Sequence, residues 1–252
     1  MTALPLLTLL TALPLFGGIV VAGLDRARPG LARGLGLGFM LLAGLLALGL
    51  WLNFEGVSGQ LQFVERYRWV PAIGAEYFVA VDGLGLLMVL LTAFVLPFAL
   101  LSSWRVQENT KTFVALLLFL EAGLFGAFTA LNFVHWFIFW ELGLVPAYFL
   151  IKLWGGPQRR EAATQFFVYT MGGSVTLLLG FLAMYLATGT FDFFKLAELG
   201  RNGELEAQLS KEMLGWRDLS RGALTMAIFG CVFLGFAVKV PLFPFHTWLP
   251  DA

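Results

Sequence analysis

Two ionisable residues lie inside apolar runs: Glu141, within Phe133 to Trp154, and Lys239, within Ala223 to Trp248. An ionisable side chain at the centre of a membrane span costs about 2.5 to 3.5 kcal/mol on insertion scales, so each demands a reason. Burial and mutual attraction act in opposite senses on the proton affinities of such a pair. A glutamate and a lysine sharing a hydrated pocket would therefore tune each other's hold on a proton, which is the chemistry of electrostatically gated proton transfer. The alternative is that the same two residues form a static bridge that fixes helix packing.

Two further groups are secondary proton-path candidates. Glu121 lies in the preceding apolar run, Phe113 to Leu131, and His246 follows Lys239 by seven residues. At 1.5 Å of rise per residue, Glu121 and Glu141 stand roughly 16 and 13 Å from Asn132, near one middle layer. Glu121 could instead donate a single hydrogen bond to a neighbouring helix. His246 has an ordinary pKa near neutrality and could pass protons, or it could satisfy freed backbone groups. Pro241 and Pro244 lie between Lys239 and His246 and predict a broken helix. Irregular backbone at membrane depth is tolerated where it is buried or lines a wet cavity, although prolines also kink membrane helices without function. His135, near the start of its run, reads as an interfacial or packing histidine.

These residues need membrane helices to position them. Of 252 residues, 59% are hydrophobic and 13% charged, far from the mix of a soluble domain. Runs of about 20 apolar residues match the bilayer core, and seven can be marked: Leu4 to Ala22, Gly34 to Leu52, Phe78 to Leu101, Phe113 to Leu131, Phe133 to Trp154, Phe166 to Ala187 and Ala223 to Trp248. The expected fold is an all-α integral membrane protein of about seven transmembrane helices with a broken seventh. Residues 53–77 read as a polar connection with Asp82 at the interface. The segment from Thr188 to about Arg221 suits either an interfacial amphipathic helix, with Leu196, Leu199, Leu205, Leu209 and Leu214 on its apolar side, or a solvated loop.

The composition also excludes functions. Lys plus Arg equal Asp plus Glu at 16 each, and no basic run suggests nucleic acid. Cys231 is the single cysteine, so no metal or iron–sulfur cluster motif exists. His135 and His246 are too few for paired haems, and no nucleotide motif follows a strand. No cofactor or metal is expected in this chain. The first apolar run lacks a basic leader and reads as a retained span. If the spans alternate, Arg26, Arg28, Arg33, Arg105, Lys111, Lys152, Arg159 and Arg160 share one side, which predicts a cytoplasmic face there and a periplasmic amino terminus.

Several motifs then resemble a known family. Phe139-Trp140-Glu141-Leu142, Pro146, Tyr148-Phe149-Leu150-Ile151 and Trp154-Gly155-Gly156 are similar to the fifth-helix signature of antiporter-like membrane subunits of respiratory NADH:quinone oxidoreductase, complex I. Arg160-Glu161-Ala162-Ala163, Phe166 to Thr170, Gly172-Gly173-Ser174 and the run Lys239 to Ala252 resemble it further, from about Asp82 onward. The Tyr148 to Ile151 wording resembles the M-type branch more than the L and N branches. The resemblance implies a proton-translocating subunit of an enzyme of the translocase class. Glu141 would match the family's fifth-helix glutamate and Lys239 its lysine on the broken seventh helix.

The resemblance also places NADH, FMN, iron–sulfur clusters and quinone in partner subunits, antiporter-like subunits L and N among the partners, and the chain in the bacterial inner membrane. It implies a single membrane domain over 1–252, with leading helices in 1–112 and the first antiporter-like repeat in 113–252. That repeat would be incomplete at its end, the first half of an inverted-repeat fold of about fourteen helices. The alternative is a Mrp-type cation/proton antiporter subunit, which shares the Glu and Lys framework.

Overall fold

Long stretches of Leu, Phe, Val and Ala with no polar stripe make helices that are apolar on every face, the pattern of membrane spans. The computed structural model describes residues 4–56, 59–212 and 221–251. Six of its helices are long and apolar enough to cross a membrane: α2 (Pro29–Leu52), α3 (Gly83–Ser102), α4 (Thr110–Thr129), α5 (Phe133–Trp154), α6 (Arg159–Thr188) and α9 (Arg221–Lys239, apolar from Gly222). A shorter apolar helix, α1 (Leu6–Ala22), has 17 residues and spans roughly 25 Å. The expectation of a mostly helical membrane protein therefore holds, with six helices long enough to cross a membrane and one shorter apolar helix among the described residues.

Two corrections concern connections. The polar stretch after α2 forms a β-hairpin, β1 (Gln62–Val70) paired with β2 (Ala75–Val81), turned at Gly74 with φ of 63°. The Phe78 to Val81 segment that reads as the start of a span is strand. A short apolar run does not distinguish buried strand from helix by periodicity, and here Phe78, Val79, Ala80 and Val81 are all buried. Helix α3 starts only at Gly83, where the Asp82 carboxylate accepts a hydrogen bond from the Gly85 amide at 2.7 Å. That contact satisfies one of the orphan donors of the first turn. The insertion after α6 holds two short helices, α7 (Phe193–Arg201) and α8 (Glu204–Glu212), and Leu214 lies outside the described residues.

The chain divides into two compact units. The first comprises Met1–Tyr67, Tyr77–Ala130 and His135–Leu150, and its centre is the mutual packing of α1, α2, α3 and α4. Leu7, Leu10, Ala43, Val89 and Phe125 are buried there. On α3, Leu84, Leu87, Leu91, Phe94 and Phe98 stand exposed at three- and four-residue spacing while Leu86, Val89 and Leu96 are buried. A helix apolar on both its inner and outer faces suits lipid on the outside.

The second unit comprises Arg68–Glu76, Leu131–Val134 and Ile151–Ala252, and α6 packs along α9 as its main contact. Glycines set that distance. A Cβ on Gly173 would fall 2.9 Å from Val238, and one on Gly235 would fall 2.7 Å from Leu177. Small residues at such contacts let membrane helices approach where burial from water no longer drives association.

Candidate functional site

Helix α5 carries Glu141. It opens with Asn132, whose side chain accepts from the Val134 amide at 3.2 Å, and Asn132 bridges to Asp192 ahead of α7. Backbone bonds from Phe133 N to Phe191 O and from Phe193 N to Leu131 O pin the two helix starts together. Gly155 closes the helix, a position where its freedom matters because a Cβ would sit 2.4 Å from the Ile151 carbonyl oxygen. Glu141 is half-buried, and its Oε1 is buried without a hydrogen-bond partner among the described residues.

Glu121 lies on α4 in the same unit and is fully buried, with neither carboxyl oxygen hydrogen-bonded among the described residues. The two glutamates do not face each other. Helices α4 and α5 meet where a Cβ on Gly126 would fall 2.1 Å from the Phe139 ring and one on Gly123 would fall 3.0 Å from the Gly143 amide. At about 100° per residue, Glu121 and Glu141 each lie roughly half a turn from that contact. Glu121 shares its face with Val114, Leu118 and Phe125, all fully buried. It therefore points into the α1 to α4 packing, whereas Glu141 points away from α4. Counting rise from the loop brings the carboxylates near one layer but is blind to azimuth.

His135 behaves as a packing residue: its ring lies 4.6 Å from that of Tyr77 and 5.0 Å from that of Phe139.

In the second unit, Lys239 is the last residue of α9, and the helix breaks directly after it. Pro241 has no N–H to continue the ladder, and the freed carbonyls find other donors. Leu242 N donates to Ala237 O at 2.8 Å, and the Trp248 indole Nε1 donates to Val238 O at 3.0 Å. The segment beyond is fastened to α6, with Trp248 5.1 Å from the Phe166 ring and Thr247 donating to the Tyr169 hydroxyl at 3.2 Å. His246 is half-buried in this segment, and its Nδ1 has no hydrogen-bond partner among the described residues. Trp248 thus holds the break next to Lys239, a role the sequence does not announce, because an indole N–H aimed at a carbonyl ten residues back leaves no periodic signal.

The chemistry available is a half-buried carboxylate on α5 and, in the other unit, a half-buried amine at the end of the broken helix α9. Among the described residues no group of three His, Cys, Asp or Glu could hold a metal ion. Residues 130–252 match a family model described as NADH:quinone oxidoreductase/Mrp antiporter, transmembrane. The chain is 35% identical to F(420)H(2) dehydrogenase subunit M of Methanosarcina mazei, over 99% of this chain and 48% of that protein. It is 37% identical to NADH-quinone oxidoreductase subunit M of Rhodobacter capsulatus, over 98% and 48%. A chain of respiratory complex I from Thermus thermophilus superposes with a TM-score of 0.75 at 28% identity, covering 97% of this chain and 46% of that one. By the family model over residues 130–252 and these relatives, the chain is similar to the antiporter-like membrane subunits of NADH:quinone oxidoreductases and Mrp antiporters. Both of these curated relatives are designated subunit M, and the chain spans about half the length of the curated relatives it matches.

Proposed function

We propose that this chain is the first half of an M-type, proton-translocating membrane subunit of an NADH:quinone oxidoreductase, with Glu141 and Lys239 as the proton-handling pair. The observation that carries the reading is alignment over nearly the whole chain with subunits designated M, together with a buried, unbonded Glu141 oxygen and a helix that ends at Lys239. The relatives' names differ in the reduced donor and share the M designation, which fits a subunit that does not itself touch the donor. NADH, FMN, iron–sulfur clusters and quinone then belong to partner subunits, with antiporter-like subunits L and N beside this one in the inner membrane.

In this reading a charge moving elsewhere in the assembly alters the proton affinities of Glu141 and of Lys239, and the proton held by Lys239 is released when its surroundings become less negative. His246 relays it past the break kept open by Pro241 and Pro244, and Glu121 is a reserve acceptor in the neighbouring helix layer.

The test uses the full-length subunit in its assembled complex, in vesicles with a pH-sensitive dye. Glu141→Gln and Lys239→Ala should each abolish most proton uptake while the complex still assembles. Assembly intact with uptake unchanged would leave a structural bridge as the role of both residues. The Mrp reading is favoured by the family model, whose description names both kinds of protein, and the fold is shared with the Mrp complex of Dietzia sp. at a TM-score of 0.74 and 22% identity. Sodium-dependent antiport without NADH would establish it.

A further inference from the structure

One end of the first unit gathers five cations on two loops. Arg26, Arg28 and Arg33 lie between and just inside α1 and α2, and Arg105 and Lys111 between and just inside α3 and α4. Two of them bind the loops into a single face. Lys111 Nζ donates to Ala22 O at 3.1 Å and Leu24 O at 2.7 Å, and Arg33 Nη2 donates to Val106 O at 2.7 Å. The Arg33 guanidinium also lies 5.9 Å from the centroid of the Trp104 ring. Arg26, Arg28 and Arg105 remain exposed on that face.

The acids nearby are Asp25 and Glu108. Asp25 Oδ1 accepts from the Ala27 amide at 3.0 Å, curling its loop. Trp104, 40% exposed, stands at the same end, and exposed tryptophan at a span's end belongs at headgroup depth.

We infer that this face is a docking surface for the headgroups of anionic phospholipids, with Arg26, Arg28 and Arg105 meeting the phosphates and Trp104 seated at the lipid–water boundary. Excess positive charge on a short face beside four helix ends is what a negatively charged leaflet attracts, and arginine forks pair phosphate oxygens two at a time. Zwitterionic lipids carry the same phosphate but cancel it with their own cation, so the surface should select by net headgroup charge. The inference stands apart from the proton-pumping reading.

The test reconstitutes the full-length chain in mixed phosphatidylcholine and phosphatidylglycerol bilayers, with a photoactivatable probe near the headgroup of either lipid, and maps crosslinks by mass spectrometry. Phosphatidylglycerol should label the peptides around residues 23–33 and 103–111 in preference to phosphatidylcholine. Arg28→Gln and Arg105→Gln, made singly so that folding survives, should each weaken that preference about fivefold, whereas Arg66→Gln at the other end of the unit should not. Equal labelling by both lipids, or a preference untouched by either variant, would overturn the assignment. Loss of labelling on adding inorganic phosphate at constant ionic strength would overturn it too, by making the face a site for free anions.

Discussion

A single buried carboxylate decides how the first helix is held. Glu65 on β1 accepts from the Leu7 amide at 2.7 Å, from the Thr8 amide and from the Thr8 hydroxyl, so it closes the amino terminus of α1. A negative charge there also opposes the positive end of the helix dipole. Thr8 Oγ1 donates to Glu65, so the Tyr77 hydroxyl donates to Thr8. Burial holds the Tyr77 phenol above its ordinary pKa of 10.0, Thr8's hydrogen bond pulling the other way, so this donor survives throughout the physiological range. Glu65→Ala should leave amides without partners in a buried place and cost about 1–3 kcal/mol, read as a lower melting temperature in detergent. Tyr77→Phe, which removes one bond at a half-buried position, should cost about 0.5–1.5 kcal/mol. Equal melting of Glu65→Ala and the parent would mean that water replaces the cap without loss.

At the scale of elements, the broken helix is the best-specified feature. Trp248 is buried against Phe166 and donates to Val238 O. Trp248→Phe keeps the ring contact and removes the donor, so a carbonyl adjacent to Lys239 is left unbonded. The expected result is a loss of about 1–3 kcal/mol together with slower proton uptake in the assembled complex. Unchanged uptake with unchanged melting would remove Trp248 from the account.

The break itself is legible in Pro241 and Pro244, and α5 runs from Phe133 to Trp154 as its apolar composition indicates. The hairpin is not legible, because in Gln62 to Val70 the buried residue is the charged Glu65 while Val64, Tyr67, Trp69 and Val70 are exposed, and Phe78 to Val81 reads the same in strand and helix. Glu121 and Glu141 show the other limit. Their depth follows from counting residues, but which way each points depends on the Gly123, Gly126, Phe139 and Gly143 contact, a tertiary feature that no single helix encodes.

For the molecule as a whole, charge is distributed by end. In the first unit the α1–α2 and α3–α4 loops carry Arg26, Arg28, Arg33, Arg105 and Lys111, while the opposite end carries Glu55, Glu65 and Asp82 with Arg66. Short basic loops are retained on the cytoplasmic side during insertion, so Ala27 should face the cytoplasm and Gln60 the outside. With Cys231→Ser as background, Ala27→Cys in intact cells should resist an impermeant maleimide until the membrane is opened, and Gln60→Cys should react at once. The inverse pattern would reverse the orientation while keeping every span. Both positions reacting from one side would mean that α2 does not cross, and with that the alternation that places Glu141 and Lys239 at membrane depth would fail.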